Sequence, residues 1–151
     1  MIKLLRTNSE NPDFRALVRE LDVDLAERDG KDHSFYAQFN KIDAINHSVV
    51  AYLDNKPVGC GAIRQYEPGI MEVKRMFTIP QERGKGVASA ILSGLEQWAR
   101  EMACDKYILE TGKKQPEAIS LYQKRGYKII KNYGQYENIE NSVCMEKDFK
   151  K

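Results

Sequence analysis

The spacing of apolar positions changes near Gly86 and divides the chain into two kinds of structure. Before it, short apolar runs alternate with turn-forming residues at 54–57 and 67–69, which predicts strands joined by tight turns. The predicted strands of this antiparallel meander are residues 49–53, 58–63 and 70–79. After Gly86, apolar residues recur every three or four positions, which is typical of an amphipathic helix.

Further elements precede and follow this region. Residues 2–6 predict a first strand, and the helical spacing from Phe14 predicts a helix to about residue 28. The pattern also predicts a strand at 107–109, a helix at 116–125 ended by Gly126, and strands at 127–130 and 142–145. About seven strands and three or four helices in this order predict an α+β or mixed α/β fold, with one domain over residues 1–151.

One segment fits neither pattern clearly. Residues 31–47, which include Phe35, Tyr36 and Phe39, predict either a second helical piece or an ordered loop. Such an aromatic segment either packs on the core or forms a wall of a substrate pocket.

Composition narrows the classes of protein that this chain can represent. The net charge of +2 over 151 residues argues against nucleic acid or a membrane surface as the main partner. Cys60, Cys104 and Cys144 are odd in number and widely spaced, so we expect buried reduced thiols rather than disulfides or metal ligands. His33 and His47 lack metal-ligand company, and both are predicted to be surface or loop residues. The N-terminus shows no leader pattern and no apolar span is present, so we expect a cytoplasmic protein. The spacing of the cysteines and histidines also predicts that no metal is bound.

The stretch Arg83-Gly84-Lys85-Gly86 carries the main chemical signal. It lies between a predicted strand and a predicted helix. Glycines permit positive φ and close approach of a ligand, and the unpaired amides of a first helical turn attract anions. With two cations alongside, the turn predicts a phosphate or pyrophosphate site; the alternative is a solvated turn without a ligand.

Two common phosphate motifs are absent at this turn. The phosphate loop of nucleotide hydrolases needs two glycines five residues apart, followed by Lys and Ser or Thr. The dinucleotide fingerprint needs a further glycine three residues after Gly86, where Ser89 stands. The sequence therefore excludes both.

Three motifs together resemble those of the GNAT N-acetyltransferase superfamily. Residues 83–88 resemble its acetyl-CoA signature through Arg83, Gly86 and Ala88. Residues 72–80 resemble the central strand of the family, and residues 115–127 resemble its second motif, with Gln115 where Asn is usual. The motifs cover roughly half of the chain, in the order and spacing of the family.

This resemblance implies a GNAT-type fold: a central mixed sheet of about seven strands, mostly antiparallel and flanked by three or four helices. The strand of residues 72–79 would splay from that of residues 107–111, leaving a V for the pantetheine arm of acetyl-CoA. The neighbouring pairs Lys74-Arg75 and Met76-Phe77 break the strand alternation, so we predict a bulge between them. The residues that the resemblance assigns to acetyl-CoA are Met76, Phe77, Thr78, Arg83, Gly84, Lys85, Gly86, Val87, Ala88, Gln115, Ala118 and Tyr122.

Catalytic residues follow from the same resemblance. A free alkyl ammonium has a pKa near ~10.4, so a base must help to form the neutral amine. Glu72 stands where some members of the family place a catalytic glutamate; Glu110 is the rival base or an anchor for the acceptor ammonium. Tyr122 matches a family tyrosine near the CoA sulfur, where it would act as acid or positioning group, while Tyr133 and Tyr136 would contact the acceptor. The structural alternatives are an ion pair for Glu72 with Lys74, Arg75 or another surface cation, and core packing for Tyr122.

The sequence thus predicts an acetyl-CoA-dependent N-acetyltransferase for a primary amine on a small molecule. Two alternatives stay open: a non-catalytic acyl-CoA-binding regulatory module, and an acetyltransferase for a protein amine. The last strands of this fold often pair subunits, which makes a homodimer possible.

Overall fold

The computed structural model describes residues 1–29 and 45–149. Most of the aromatic segment at 31–47, including His33, lies outside these ranges. The described residues form seven strands: β1 (Ile2–Thr7), β2 (His47–Leu53), β3 (Lys56–Glu67), β4 (Ile70–Thr78), β5 (Lys106–Gly112), β6 (Lys128–Ile130) and β7 (Ser142–Asp148). They also form three α-helices: α1 (Pro12–Asp29), α2 (Val87–Glu101) and α3 (Pro116–Lys124).

The strands form one sheet in the order β1-β2-β3-β4-β5-β7-β6. The β4–β5 pair is parallel and the other five neighbouring pairs are antiparallel. The predicted fold class, a mixed and mostly antiparallel seven-stranded sheet with helices, is therefore confirmed.

Helix α2 supplies much of the core, as its apolar spacing predicts. Its buried apolar residues are Val87, Ile91, Leu92, Leu95 and Ala99. Met102 follows the helix end and is 39% exposed. Helices α1 and α2 pack on β2, β3 and β4, whereas α3 packs on β5.

Other local predictions had mixed outcomes. Cys60, Cys104 and Cys144 are free and buried, as expected. His47 is not a surface or loop residue: it begins β2, and its ring lies edge-on to Trp98 at 4.9 Å between centroids. Strand β3 runs to Glu67 rather than to residue 63, because its polar end still pairs with β4 in the hairpin.

A bulge in β4 lies where the broken alternation predicts it. In the β3–β4 register, Cys60 is opposite Phe77 and Ala62 is opposite Lys74. Gly61 therefore opposes two residues, Arg75 and Met76, and Arg75 adopts a φ of 63°. A Cβ on Gly61 would lie 2.6 Å from the Met76 sulfur, so only glycine permits this packing.

The same strand separates from β5 just before the bulge. The parallel register pairs Ile70–Val73 with Lys106–Leu109 and then stops. Strand β5 continues to pair with β7 as far as Gly112, whereas β4 continues to pair with β3 as far as Thr78. The predicted splay of these two strands is confirmed, and it opens a V-shaped gap in the sheet.

Candidate active site

The gap between β4 and β5 opens into a cleft of about 660 Å³. Strand β4, the end of β5, the start of α2, helix α3 and part of α1 line it. The predicted site residues that line this cleft are Glu72, Met76, Phe77, Thr78, Arg83, Gly84, Gly86, Val87, Ala88, Glu110, Gln115, Ala118, Tyr122 and Tyr136. Residues that are far apart in the sequence therefore meet in one cavity.

The turn before α2 presents unpaired backbone amides. Gly84 and Gly86 have φ values of 79° and 85°, a region that favours glycine. Within the described chain, the backbone N–H groups of residues 84–89 make no backbone hydrogen bond, and the first bond is from Ala90 N to Gly86 O at 3.0 Å. A Cβ on either glycine would meet no atom of residues 1–29 or 45–149 within 4 Å, so the space beside them is open in this part of the chain. The turn can hold an anion at a helix N-terminus.

The two cations of this turn point in different directions. Arg83 lines the cleft; its Nε donates to the Thr78 carbonyl at 2.9 Å, and its guanidinium lies 3.9 Å from Asp24. Lys85 does not line the cleft. Its Nζ donates to Glu82 at 2.9 Å, and its side chain is 56% exposed.

The edge of β4 that faces the gap carries polar groups that do not pair with β3. Ile79 N donates to Val58 O on β3 at 2.9 Å. Because bonding direction alternates along an antiparallel pair, the N–H and C=O of Thr78 point away from β3, towards the gap. Among the residues that the structure describes, the buried Thr78 hydroxyl has no hydrogen-bond partner.

The bulge also orients one amide. Cys60 Sγ donates to the Arg75 carbonyl at 3.4 Å. In a trans peptide the C=O and the following N–H point in opposite directions, so the Met76 N–H points away from Cys60. This donor lies at the splayed part of β4.

Glu72 is held in place by three neighbours. It is 2% exposed, and one of its carboxylate oxygens accepts a hydrogen bond from the Tyr133 hydroxyl at 2.6 Å. The other oxygen lies 3.2 Å from Arg64 Nε, on the residue opposite it in β3, and 4.0 Å from Lys74 Nζ. An ion pair with Lys74 was the structural alternative considered for Glu72, but the contribution of Arg64 was missed.

The tyrosines take different places. Tyr133 contacts Glu72 and is not part of the cleft lining, whereas Tyr136 lines the cleft and is 3% exposed. Tyr122 also lines the cleft, 6% exposed, with its ring edge-on to Tyr127 at 5.7 Å. Burial, followed by the charge of Glu110, raises the pKa of Tyr122, so its hydroxyl stays protonated.

Arg75 is a cleft residue that sequence reasoning considered only as a partner for Glu72. Its side chain is 1% exposed and lines the cleft, and its Nη1 lies 3.8 Å from Asp22 on α1. Among the described residues, none of its three guanidinium nitrogens has a hydrogen-bond partner. Burial lowers the pKa of Arg75, and the nearby Asp22 opposes that shift. The paired polar residues at 74 and 75 marked the bulge, but nothing in the sequence marked this burial.

The described part of the chain lacks two further kinds of functional feature, a metal cluster and a membrane-spanning helix. In residues 1–29 and 45–149, no group of three His, Cys, Asp or Glu side chains could hold a metal ion. No helix in the same ranges is long and apolar enough to cross a membrane.

A family model and several relatives match this sequence, and they agree on the family. The model of the GNAT acetyltransferase family matches residues 10–127. The IAA acetyltransferase of Azospirillum brasilense is 39% identical over 100 residues, which are 66% of this chain and 65% of that protein. Across three curated relatives, the matched region spans 50% to 66% of the relative's own length.

Solved structures share the fold over nearly the whole chain. A proposed acyl-CoA N-acyltransferase from Klebsiella pneumoniae is 29% identical, with a TM-score of 0.82 over 98% of this chain and 97% of that one. The PaiA N-acetyltransferase from Thermoplasma acidophilum, solved in complex with coenzyme A, is 16% identical, with a TM-score of 0.71 over 99% of each chain. At that identity, the second likeness shows the fold alone.

Proposed function

Because the chain belongs to the GNAT acetyltransferase family, we propose that it transfers an acetyl group from acetyl-CoA to a primary amine on a small molecule. The observation that carries this proposal is the splayed cleft, which joins an anion-binding turn to a buried carboxylate. The turn suits the pyrophosphate of the donor, and the carboxylate suits an ammonium group on the acceptor.

The residues present fit acetyl-CoA. The free amides of residues 84–89 would hold its pyrophosphate, and the gap-facing N–H and C=O of Thr78 would pair with the amides of its pantetheine arm. Arg83 already uses the Thr78 carbonyl, so its side chain would move or share that acceptor when the arm binds. When bound, acetyl-CoA supplies the acetyl group as a reactive thioester.

Glu72 is the proposed base for the acceptor amine. The carboxylate is buried in the cleft, and Tyr133 and Arg64 fix its orientation. It would take a proton from the ammonium group, directly or through a water molecule. Glu110 also lines the cleft from the opposite strand, and it would hold the acceptor ammonium or act as the alternative base.

Two further groups would act on the thioester. The Met76 N–H, which the bulge turns away from Cys60, would donate to the carbonyl oxygen and stabilise the charge that develops there. Tyr122 would donate a hydrogen bond to the sulfur as it leaves. Because the pKa of its buried hydroxyl is raised, whereas a thiol has a pKa near ~8.5, we assign Tyr122 positioning of the sulfur rather than full proton transfer.

Replacing Tyr122 with Phe is expected to lower kcat by about tenfold to a hundredfold, since one hydrogen bond to a charged group is worth about 1.5–3 kcal/mol. Steady-state kinetics with saturating acetyl-CoA measures this change. Tyr127→Phe is the matched control, because Tyr127 contacts Tyr122 but donates to Glu96, away from the reacting atoms. Equal kcat values for Tyr122→Phe and the wild type would contradict the role of the hydroxyl.

Release of CoA against a panel of amines tests the function itself. We expect turnover with at least one small primary amine, and none when acetyl-CoA is left out. Tight acetyl-CoA binding without turnover of any amine or peptide would favour a non-catalytic acyl-CoA-binding module. Turnover of peptide amines alone would favour a protein acetyltransferase; the name of the Azospirillum relative, IAA acetyltransferase, supports the small-molecule acceptor.

The proposed homodimer and cytoplasmic location stay predictions from the sequence. Strand β6 is an outer strand of the sheet, and Ile129 on it is 58% exposed, which is compatible with a partner at this edge. The oligomeric state can be measured by sedimentation.

A further inference from the structure

We propose that the Arg75 guanidinium binds a carboxylate on the acceptor, so that the acceptor is a small molecule that carries both an amine and a carboxylate. This inference rests on the proposed function, because it concerns the acceptor of the same cleft. It names the class of amine that the cleft takes.

Arg75 carries a buried charge whose donors lack hydrogen-bond partners among the described residues. An arginine is charged at all physiological pH values, and a buried charge is costly unless it is paired and hydrogen-bonded. Arg75 is 1% exposed at its side chain, and its three nitrogens have no hydrogen-bond partner among the described residues. Asp22, its ion-pair partner, lies at 3.8 Å, beyond hydrogen-bond distance, and is itself 50% exposed. The guanidinium therefore has unused donors, on a residue that lines the cleft.

The N–H groups of the Arg75 guanidinium have a geometry that suits a carboxylate. A guanidinium presents its N–H groups as a rigid planar fork that matches the two oxygens of a carboxylate. The bulge fixes Arg75 at a positive φ, so the backbone that carries the fork is set by the β3–β4 register rather than by a mobile loop. The register of the strand and the burial of the side chain thus restrict where this fork can lie before any ligand arrives.

Arg75 lies on β4 between Glu72 and Thr78. Arg75 lies at the bulge, three residues before Thr78 along β4. The amides assigned to the pyrophosphate lie further on, at residues 84–89. In the other direction Glu72 is three residues away on the same strand, and it lines the same cleft. Arg75 therefore lies towards the acceptor end of the cleft.

Charge at this end favours a molecule with two opposite charges. Glu72 and Glu110 both line the cleft and would attract an ammonium group, whereas Arg75 would attract an anion. A simple alkylamine would leave Arg75 without a hydrogen-bonded partner, and an amine with a carboxylate would satisfy both ends. The competing source of the anion is a phosphate of the cofactor, and the experiment separates the two.

Binding calorimetry with matched probes tests this directly. The probes are α- and ω-amino acids and the carboxamide of each, which differ only in the anionic group, titrated with and without CoA. We expect the wild type to bind at least one acid about tenfold tighter or more than its carboxamide, and Arg75→Gln to lose this preference while its CoA affinity stays unchanged. Arg19→Gln, an exposed arginine on α1, is the control and should keep the preference.

A second variant is expected to strengthen acid binding rather than weaken it, so its result does not depend on whether Arg75→Gln folds. Asp22→Asn removes the carboxylate beside Arg75, so binding of the acid should tighten severalfold while that of its carboxamide is unchanged. No pair with a preference for the acid in the wild type, or an equal preference in Arg75→Gln, would overturn the inference. Loss of CoA affinity in Arg75→Gln with no preference for the acid would assign the anion to the cofactor instead and also overturn it.

The two hypotheses fail in different ways. If amines are acetylated with no regard to a carboxylate, the acetyltransferase function stands and the role of Arg75 is wrong. If the acids bind through Arg75 but no amine is acetylated, the anion site stands and the proposed function is wrong.

Discussion

Gly86→Asp is expected to weaken acetyl-CoA binding by well over tenfold, which corresponds to about 1.4 kcal/mol or more. The open space beside Gly86 is where the free amides of residues 84–89 would hold the proposed pyrophosphate. A carboxylate placed there would repel the pyrophosphate and compete for the same N–H groups. Titration calorimetry with acetyl-CoA measures the loss.

Gly86→Asn separates charge from shape in this experiment. Asn has nearly the same size as Asp, and both tolerate the positive φ of 85° better than most residues do. Both are also good residues at a helix N-cap, so neither should unfold α2. We expect Gly86→Asn to bind acetyl-CoA much more tightly than Gly86→Asp. Equal binding by Gly86→Asp and the wild type would remove the phosphate role from this turn.

Glu72→Gln is expected to lower kcat by about a hundredfold or more, within the usual range for loss of a general base. The amide keeps the size of the carboxylate and can still accept the hydrogen bond from Tyr133. Acetyl-CoA affinity should not change, because Glu72 lies far along β4 from the turn at residues 84–86. Kinetics with the best acceptor from the amine panel provides the readout.

The pH profile distinguishes a base from a merely structural carboxylate. Without a base, the rate should follow the fraction of neutral amine and rise about tenfold per pH unit below a pKa of ~10.4. A defect of equal size at every pH would mean that Glu72 organises Arg64 and Tyr133 instead. Glu110→Gln is the matched control, and a larger loss there with the same pH response would transfer the role of base to Glu110.

Local features of the sequence predicted much of this site. The glycines before α2 indicate a turn that needs positive φ values. The broken alternation at residues 74–77 indicates a bulge within a single strand. Both are short-range signals, so they could be interpreted without knowledge of the fold. The splay of β4 from β5 was predicted only through the resemblance to a family, because the sequence of β4 does not indicate where its pairing with β5 ends.

Contacts made across the fold could not be predicted in this way. Tyr133 donates to Glu72 from 61 residues away, and only the return of the chain beside β7 brings it there. The polar end of β3 lacks an apolar pattern, yet it is a strand because hairpin pairing with β4 outweighs local preference. The burial of Arg75 depends on the bulge and α1 together, and neither element alone implies it.

The short parallel register between β4 and β5 has a consequence for the stability of the protein. Among the described strands, only Ile70–Val73 and Lys106–Leu109 join the first four strands of the sheet to the last three. A ligand bound along both sides of the gap acts as a cross-link between these halves, and it stabilises the native state in proportion to the logarithm of its concentration. With acetyl-CoA as the proposed ligand, resistance of the protein to proteolysis would therefore rise as the acetyl-CoA concentration rises.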